Sequence, residues 1–326
     1  MNRKEALRLH DKLNQVGTVC ILSHVHPDGD SLGSLLGLAA LIEKNYQCRV
    51  DRVLSDSVPA RYSFMDTSKA KHYKDYPRKF YDLCILVDSS DPTRLGKAKA
   101  YMNRSEFIVN IDHHRSNQGF GQINMVEPDC SSTGELIYQI AEELSWTLTD
   151  EIASNLYVAI ATDTGSFQYS NTTKDTHTAV AELLKFDFPI DFVRERLFQS
   201  EPLNKSLLFI ALIQTIQFAR NGAIGGCSVS LKNLEAFEAS YEDLDGVVEF
   251  IRNIDTIKIS YLIKEVGPNE YRASLRSKPP VRVDEIAHQF EGGGHKYAAG
   301  LSFDGDLNEF KSRLLAACEE AICKDS

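Results

Sequence analysis

The sequence predicts an α/β protein in two parts, an N-terminal domain whose parallel sheet is flanked by helices and a smaller C-terminal α/β domain. Three observations carry this. From Thr18 to Asp112, short apolar or β-branched runs alternate with helical patterns, as they do where strands are joined through helices lying on a parallel sheet. Past about residue 220 the pattern changes to strands joined by a tight turn. With 326 residues, 43% of them hydrophobic, the chain can bury two cores more naturally than one. We place the domains at 1–190 and 221–326, with a helical linker at 191–220.

In order, residues Met1 to Gly17 read as an amphipathic helix through Leu9, Leu13 and Val16. Strands follow at Thr18 to Ser23, Cys48 to Leu54, Leu83 to Asp88 and Phe107 to Asp112, with a long helix from Ser31 to Asn45 after the first. Helices are expected at Ser132 to Trp146, Thr149 to Thr162, Lys174 to Phe186 and about Pro202 to Phe218. The connection from Asp187 to Arg220 leads to strands at Ile224 to Leu231, Thr256 to Val266 and Glu270 to Ser277. Gly267-Pro268-Asn269 makes a hairpin of the last two, and a helix from about Leu307 closes the chain.

Composition excludes several classes. No apolar run approaches the roughly 20 residues that span a bilayer, and the first helix does not read as a signal peptide, so the cytoplasm is the expected compartment and no membrane partner is expected. The seven cysteines are odd in number, form no C-x-x-C pair and lie mostly in apolar segments, which suits core packing in a reducing compartment rather than a thiolate metal site. A net charge of −10 excludes tracking along long nucleic acid by a continuous basic surface, but allows a small anion in a local pocket.

The chemistry-bearing strings sit at the C-terminal ends of the first-domain strands, the edge where ligand sites of open α/β sheets form. His24-Val25-His26-Pro27-Asp28-Gly29-Asp30 places ligand-type side chains at 24, 28 and 30, with Pro27 and Gly29 shaping turns and Ser31 able to cap the helix behind. Alone, the string equally describes a surface turn capping a helix. Asp88 ends an otherwise apolar strand, where its carboxylate would be nearly buried and needs a cation, the alternative being a cap of the next turn. Asp112-His113-His114 ends another, and adjacent histidines there point in different directions, one toward a metal and one toward substrate. Asp163 adds a fourth carboxylate at a helix end. Oxygen-rich ligation with a minority of imidazole suits Mn²⁺, with Mg²⁺ or Co²⁺ as substitutes. In the second domain, Gly292-Gly293-Gly294 can adopt positive φ and aim N–H groups at an anion, His295 adds a donor, and Arg276 can fork onto a phosphate.

Taken together, these strings resemble the DHH phosphoesterases, a family named for the string that stands here as Asp112-His113-His114. The resemblance covers essentially the whole chain: His24 to Asp30 followed by Ser31-Leu32-Gly33-Ser34, Asp88 in Val87-Asp88-Ser89, Asp112 to His114 with Asn117, Asp163 in Thr162-Asp163-Thr164-Gly165, and Gly292 to Gly300 in the DHH-associated substrate domain. It implies two Mn²⁺ ions, the first on His24, Asp28 and Asp88 and the second on Asp30, Asp88, His113 and Asp163, with Asp88 bridging. Asp112 would orient the ligands from behind, and His114 would contact the scissile phosphate. Two ions about 3.5 to 4 Å apart can activate a water for in-line attack and neutralise the phosphoryl oxygens.

Within the family, the length and domain pair resemble enzymes that degrade RNA of two to five nucleotides and convert adenosine 3′,5′-bisphosphate (pAp) to AMP and phosphate. Recognition by the second domain would make the space between domains a ruler for substrate length. Competing readings are a manganese inorganic pyrophosphatase, a phosphodiesterase of cyclic or linear dinucleotides, and a non-catalytic nucleotide sensor. The glycine string with His295 disfavours the first, and a sensor predicts missing ligands, of which there are none. A homodimer is compatible with this reading.

Overall fold

In the computed structural model, residues 2–76 and 80–324 are described. They divide into two units, residues 1–200 and 201–326. In the first unit the order is α1 (Arg3–Leu13), β1 (Thr18–Leu22), α2 (Gly29–Asn45), β2 (Arg49–Leu54), β3 (Ala70–His72), β4 (Tyr81–Val87), α3 (Lys99–Met102), β5 (Ser105–Asp112), β6 (Ile123–Val126), α4 (Thr133–Glu143), α5 (Asp150–Asp163), α6 (Lys174–Leu183) and α7 (Ile190–Phe198). Met1, at the start of the expected first helix, lies outside the described residues.

The six strands form one parallel sheet in the order β3-β2-β1-β4-β5-β6. Both faces are covered, which is why the strands read as continuous apolar runs rather than alternating ones. In β1, Val19 and Ile21 enter one core cluster while Cys20 and Leu22 enter the other. α2 is buried almost all round because α5 lies across it; a Cβ on Gly37 would stand 2.9 Å from Leu156 Cδ2. The strand order reverses direction between β1 and β4, the switch point where open sheets leave a crevice outside their carboxyl ends.

The second unit runs α8 (Leu203–Gln214), β7 (Gln217–Ala219), β8 (Ile224–Val229), α9 (Leu231–Ala236), α10 (Val247–Asn253), β9 (Ile259–Gly267), β10 (Glu270–Ser277), α11 (Val283–His288), β11 (Gly293–His295), β12 (Ala298–Asp304) and α12 (Leu307–Lys324). Its sheet has the order β11-β12-β10-β9-β8-β7, antiparallel except where β8 meets β9. One face packs Leu275, Ile263 and Ala273 against α11 and α12, and the other packs Leu262 and Val229 against α8 and α10. The stretch expected as a helical linker divides between the units: Val193 and Leu197 of α7 join the first core, Leu208 and Leu212 of α8 the second. No helix among the described residues is long and apolar enough to cross a membrane.

Candidate active site

The ends of β1, β4, β5 and α5 and the start of α2 bring the first-unit candidates together. At the turn after β1 the left-handed residue is His26, with φ 53°, rather than Gly29, which already opens α2. The expected cap also moves. Asp28, not Ser31, is the N-cap: its carboxylate accepts from Ser31 N–H at 2.9 Å, and the Ser31 hydroxyl accepts from Asp28 N–H at 3.1 Å. Two aspartates and a serine in one helical turn allow either choice by sequence, and the reciprocal pair of bonds settles it.

Two groups of donors share one carboxylate. His24 Nε2 lies 3.7 Å from Asp28 Oδ1 and 3.3 Å from Asp88 Oδ2. His113 Nε2 lies 3.7 Å from Asp30 Oδ2, 3.7 Å from Asp88 Oδ1 and 3.6 Å from Asp163 Oδ2. Asp88 therefore turns one oxygen to each group, and its backbone at φ 54° is held in a conformation that is costly for a non-glycine residue. The imidazoles are aimed by their second nitrogens: His24 Nδ1–H donates to Val25 O at 2.7 Å, and His113 Nδ1–H lies 3.4 Å from Cys130 O. Once its proton is displaced, each Nε2 presents a lone pair to the same space as the carboxylates, the arrangement of a metal-ligating histidine.

Charge balance agrees with a cation site. Burial raises the Asp30 carboxyl well above its usual range, reinforced by Asp88, Asp163 and Asp28. Burial also raises Asp163 to about 6 against the opposing pull of His113. For His24 burial works downward, yet the neighbouring carboxylates of Asp28 and Asp88 prevail and push it up to about 10. Four carboxylates against two imidazoles leave an excess of negative charge in a largely buried space, and the groups His24–Asp28–Asp88 and Asp30–His113–Asp163 each keep their ligand atoms within 4.8 Å. This donor set fits two divalent cations, which bind such groups by displacing their protons.

Asp112 and His114 stand beside this cluster. Asp112 is fully buried; its Oδ1 accepts from His114 Nδ1–H at 2.7 Å and its Oδ2 from Asn117 Nδ2 at 2.6 Å. The hydrogen bond to Asp112 raises the His114 pKa and orients the ring, leaving Nε2 on the far side.

Residues at the N-terminus of α4, not among the expected site residues, also hold the cluster. Thr133 N–H donates to Asp30 Oδ2 at 2.8 Å, Gly134 N–H to Asp30 Oδ1 at 3.0 Å, and the Thr133 hydroxyl to Asp88 Oδ1 at 3.1 Å. Ser34 Oγ adds a bond to Asp30 at 3.0 Å. Buried Glu135 anchors this corner by accepting from Ser131 N–H at 3.0 Å and from Thr176 Oγ1 at 2.8 Å. The signal was visible: Ser131-Ser132-Thr133-Gly134 is a run of cap-forming residues before a periodic helix, and helix N-termini attract carboxylates.

In the second unit the glycine string differs from the expected anion-binding turn. Only Gly294 has a positive φ, 146°; Gly293–His295 is the edge strand β11, paired with Ala298–Gly300, and Gly292 N–H is spent on Ala287 O at 2.9 Å. A ladder of backbone hydrogen bonds outcompetes a free nest, and the glycines serve by lacking side chains: a Cβ on Gly292 would stand 2.7 Å from Leu301 Cβ. Arg276 is also engaged, its Nε bonded to Glu249 Oε1 at 2.9 Å, and His295 is exposed.

Both units correspond to known domain families. The chain matches the DHH family N-terminal domain over residues 18–160 and the DHHA1 domain over residues 227–322. It is 32% identical over 292 residues to the probable bifunctional oligoribonuclease and PAP phosphatase NrnA of Streptococcus mutans, covering 89% of this chain and 91% of that one. It is 31% identical over 315 residues to the bifunctional oligoribonuclease and PAP phosphatase NrnA of Thermus thermophilus, covering 94% and 91%. The crystal structure of an exopolyphosphatase-related protein from Bacteroides fragilis superposes with a TM-score of 0.88 at 22% identity, covering 99% of this chain and 96% of that one, and so shares its fold.

Proposed function

From the premise that the chain belongs to the DHH family, we propose that it is a manganese-dependent phosphoesterase that degrades oligoribonucleotides of two to five nucleotides and removes phosphate from pAp. As a member of that family it is a hydrolase of phosphate esters. The observation that carries the reading is Asp88, whose two oxygens each face a different imidazole Nε2 at the centre of two donor groups.

His24, Asp28 and Asp88 would hold one ion, and Asp30, Asp88, His113 and Asp163 the other. Bound there, the ions would supply an activated water and offset charge on the phosphoryl oxygens. Manganese suits a set dominated by carboxylate oxygen with a minority of imidazole, and Mg²⁺ or Co²⁺ are its natural substitutes. The protein's part is to keep the donors aimed. Thr133, Gly134 and Ser34 hold Asp30 and Asp88 by hydrogen bonds, so ligand geometry does not depend on the ions alone. His114, tethered by Asp112, would offer Nε2 to a phosphoryl oxygen and stabilise it as charge accumulates. In the second unit, Arg276 and His295 would bind a substrate phosphate. The cytoplasm, where short RNA fragments arise, is the proposed compartment.

The test is hydrolysis by purified protein with Mn²⁺ of pAp, pApA, 5-mer and 24-mer RNA, and pyrophosphate. We expect turnover of the first three, with kcat/KM falling toward the 24-mer, because an acidic chain has no continuous basic surface to track the rest of a long backbone. Hydrolysis of pyrophosphate alone would replace the reading with a pyrophosphatase, and kcat/KM that climbs through the 24-mer would make it a general single-strand nuclease. Binding of these nucleotides without turnover would make it a sensor.

A further inference from the structure

Resting on that reading, we propose that the second sheet carries a separate phosphate subsite, formed by Lys264 and Arg272, that takes the backbone of an oligoribonucleotide beyond the nucleotide being cleaved. Tyr271, Ala273 and Leu275 of β10 point into the core beneath α11 and α12, so Arg272, Ser274 and Arg276 project from the opposite face. On that face Arg272 lies directly across from Lys264 of β9. Like charges directly opposite on an antiparallel pair destabilise each other. Neither forms an ion pair among the described residues, in contrast to Arg276 with Glu249 and Arg282 with Asp284. In a chain of net charge −10, two adjacent unspent cations form a site for an anion.

Both cations line a cavity of about 960 Å³. Tyr241 contributes a ring to its wall, and Arg313 a guanidinium stacked 5.3 Å from the Phe290 ring and 5.2 Å from that of Phe303. Glu291 and Asp304 also line it, but neither reaches Lys264 or Arg272 as an ion pair. Between Arg272 and Arg276 the floor is bare. Ser274 pairs with Gly300 and Gly300 with Gly293; a Cβ on Gly293 would meet nothing within 4 Å, and one on Gly300 only Ala273 O at 3.7 Å. Arg276 stands four residues along β10 from Arg272 on the same face, about 13 Å away at a strand's rise.

Counting phosphates gives the subsite a specificity. Besides the phosphate that is cleaved, pAp and pApA each carry one more, which Arg276 would take. A third exists only from pApApA onward, so the Lys264–Arg272 subsite acts on trinucleotides and longer substrates.

The experiment measures kcat and KM for pAp and a 5′-phosphorylated pentaribonucleotide in the wild type, the Lys264→Ala/Arg272→Ala double variant and Arg272→Lys, with thermal melts to establish folding. We expect the double variant to lower the ratio of kcat/KM on the pentamer to that on pAp by about tenfold, through KM, and Arg272→Lys to recover part of it. Fluorescence anisotropy of a labelled pentamer should show the same weakening. A ratio equal to the wild type's in a folded variant, with unchanged anisotropy, overturns the subsite. Failure of the wild type to hydrolyse either substrate would instead overturn the enzymatic reading, and anisotropy alone would then decide whether Lys264 and Arg272 bind the pentamer.

Discussion

The two units treat their polar side chains in opposite ways. In the first, Asp30 and Asp88 are each only 2% exposed, and both are held by hydrogen bonds from another element. In the second, His295 and Arg272 are exposed, Arg276 is tied to Glu249, and the glycines form an edge strand. The difference teaches where organisation is needed. In the proposed roles, ligands of an ion would lose their function on shifting by a fraction of an ångström, and burial and bracing prevent that shift. Groups proposed to grip a flexible anionic chain would gain more from open space and cations that can adjust.

The largest effect should come from breaking the braced unit at its centre. Asp88→Ala removes the carboxylate common to both donor groups, and kcat should fall by more than about 1,000-fold, beyond the loss of a single stabilising donor. Metal analysis of the purified variant should show fewer than two ions per chain; full occupancy with near-normal turnover would end the assignment. Next, Thr133→Val keeps the backbone N–H to Asp30 but removes the hydroxyl on Asp88. Manganese affinity should drop about 10- to 100-fold, the usual cost of losing an outer partner, as read by titration of activity against free Mn²⁺. Normal affinity would show that Asp88 needs no brace.

Smaller effects should mark the open unit. His295→Ala and Arg276→Ala should each raise KM for pAp and pApA by about tenfold, the worth of one charge-assisted contact, while both ions stay bound. Manganese lost from either variant would contradict the separation of roles. The smallest change sharpens the comparison further. Glu249→Gln releases Arg276 from its ion pair, and since a partly exposed pair is worth at most about 1 kcal/mol, KM for pAp should fall only about two- to fivefold. A rise in KM would show that Glu249 positions Arg276 rather than competing with substrate for it.

Much of this was legible in the sequence. The strand ends at Asp88 and Asp112 were readable because a carboxylate closing an apolar run stands out at any level of description, and the long helices because their periodicity repeats over many turns. Short elements were not. β6 has four residues and β3 three, so neither carries enough periods to declare itself. Nor did the sequence distinguish a cap at Asp28 from one at Ser31, since both residue types cap helices equally well.

By itself, then, the sequence determined which residue types gather at which strand ends, because local pattern sets where a strand stops and which side chains occupy the turn beyond it. Only the tertiary structure decided that Asp88 would offer one oxygen to each imidazole, that α4 would deliver Thr133 and Gly134 to Asp30, and that Gly293 would pair in a ladder rather than curl around an anion. Those outcomes depend on strand order and helix packing among residues as much as 104 positions apart, and long-range contacts of that kind leave no periodicity in the chain that makes them.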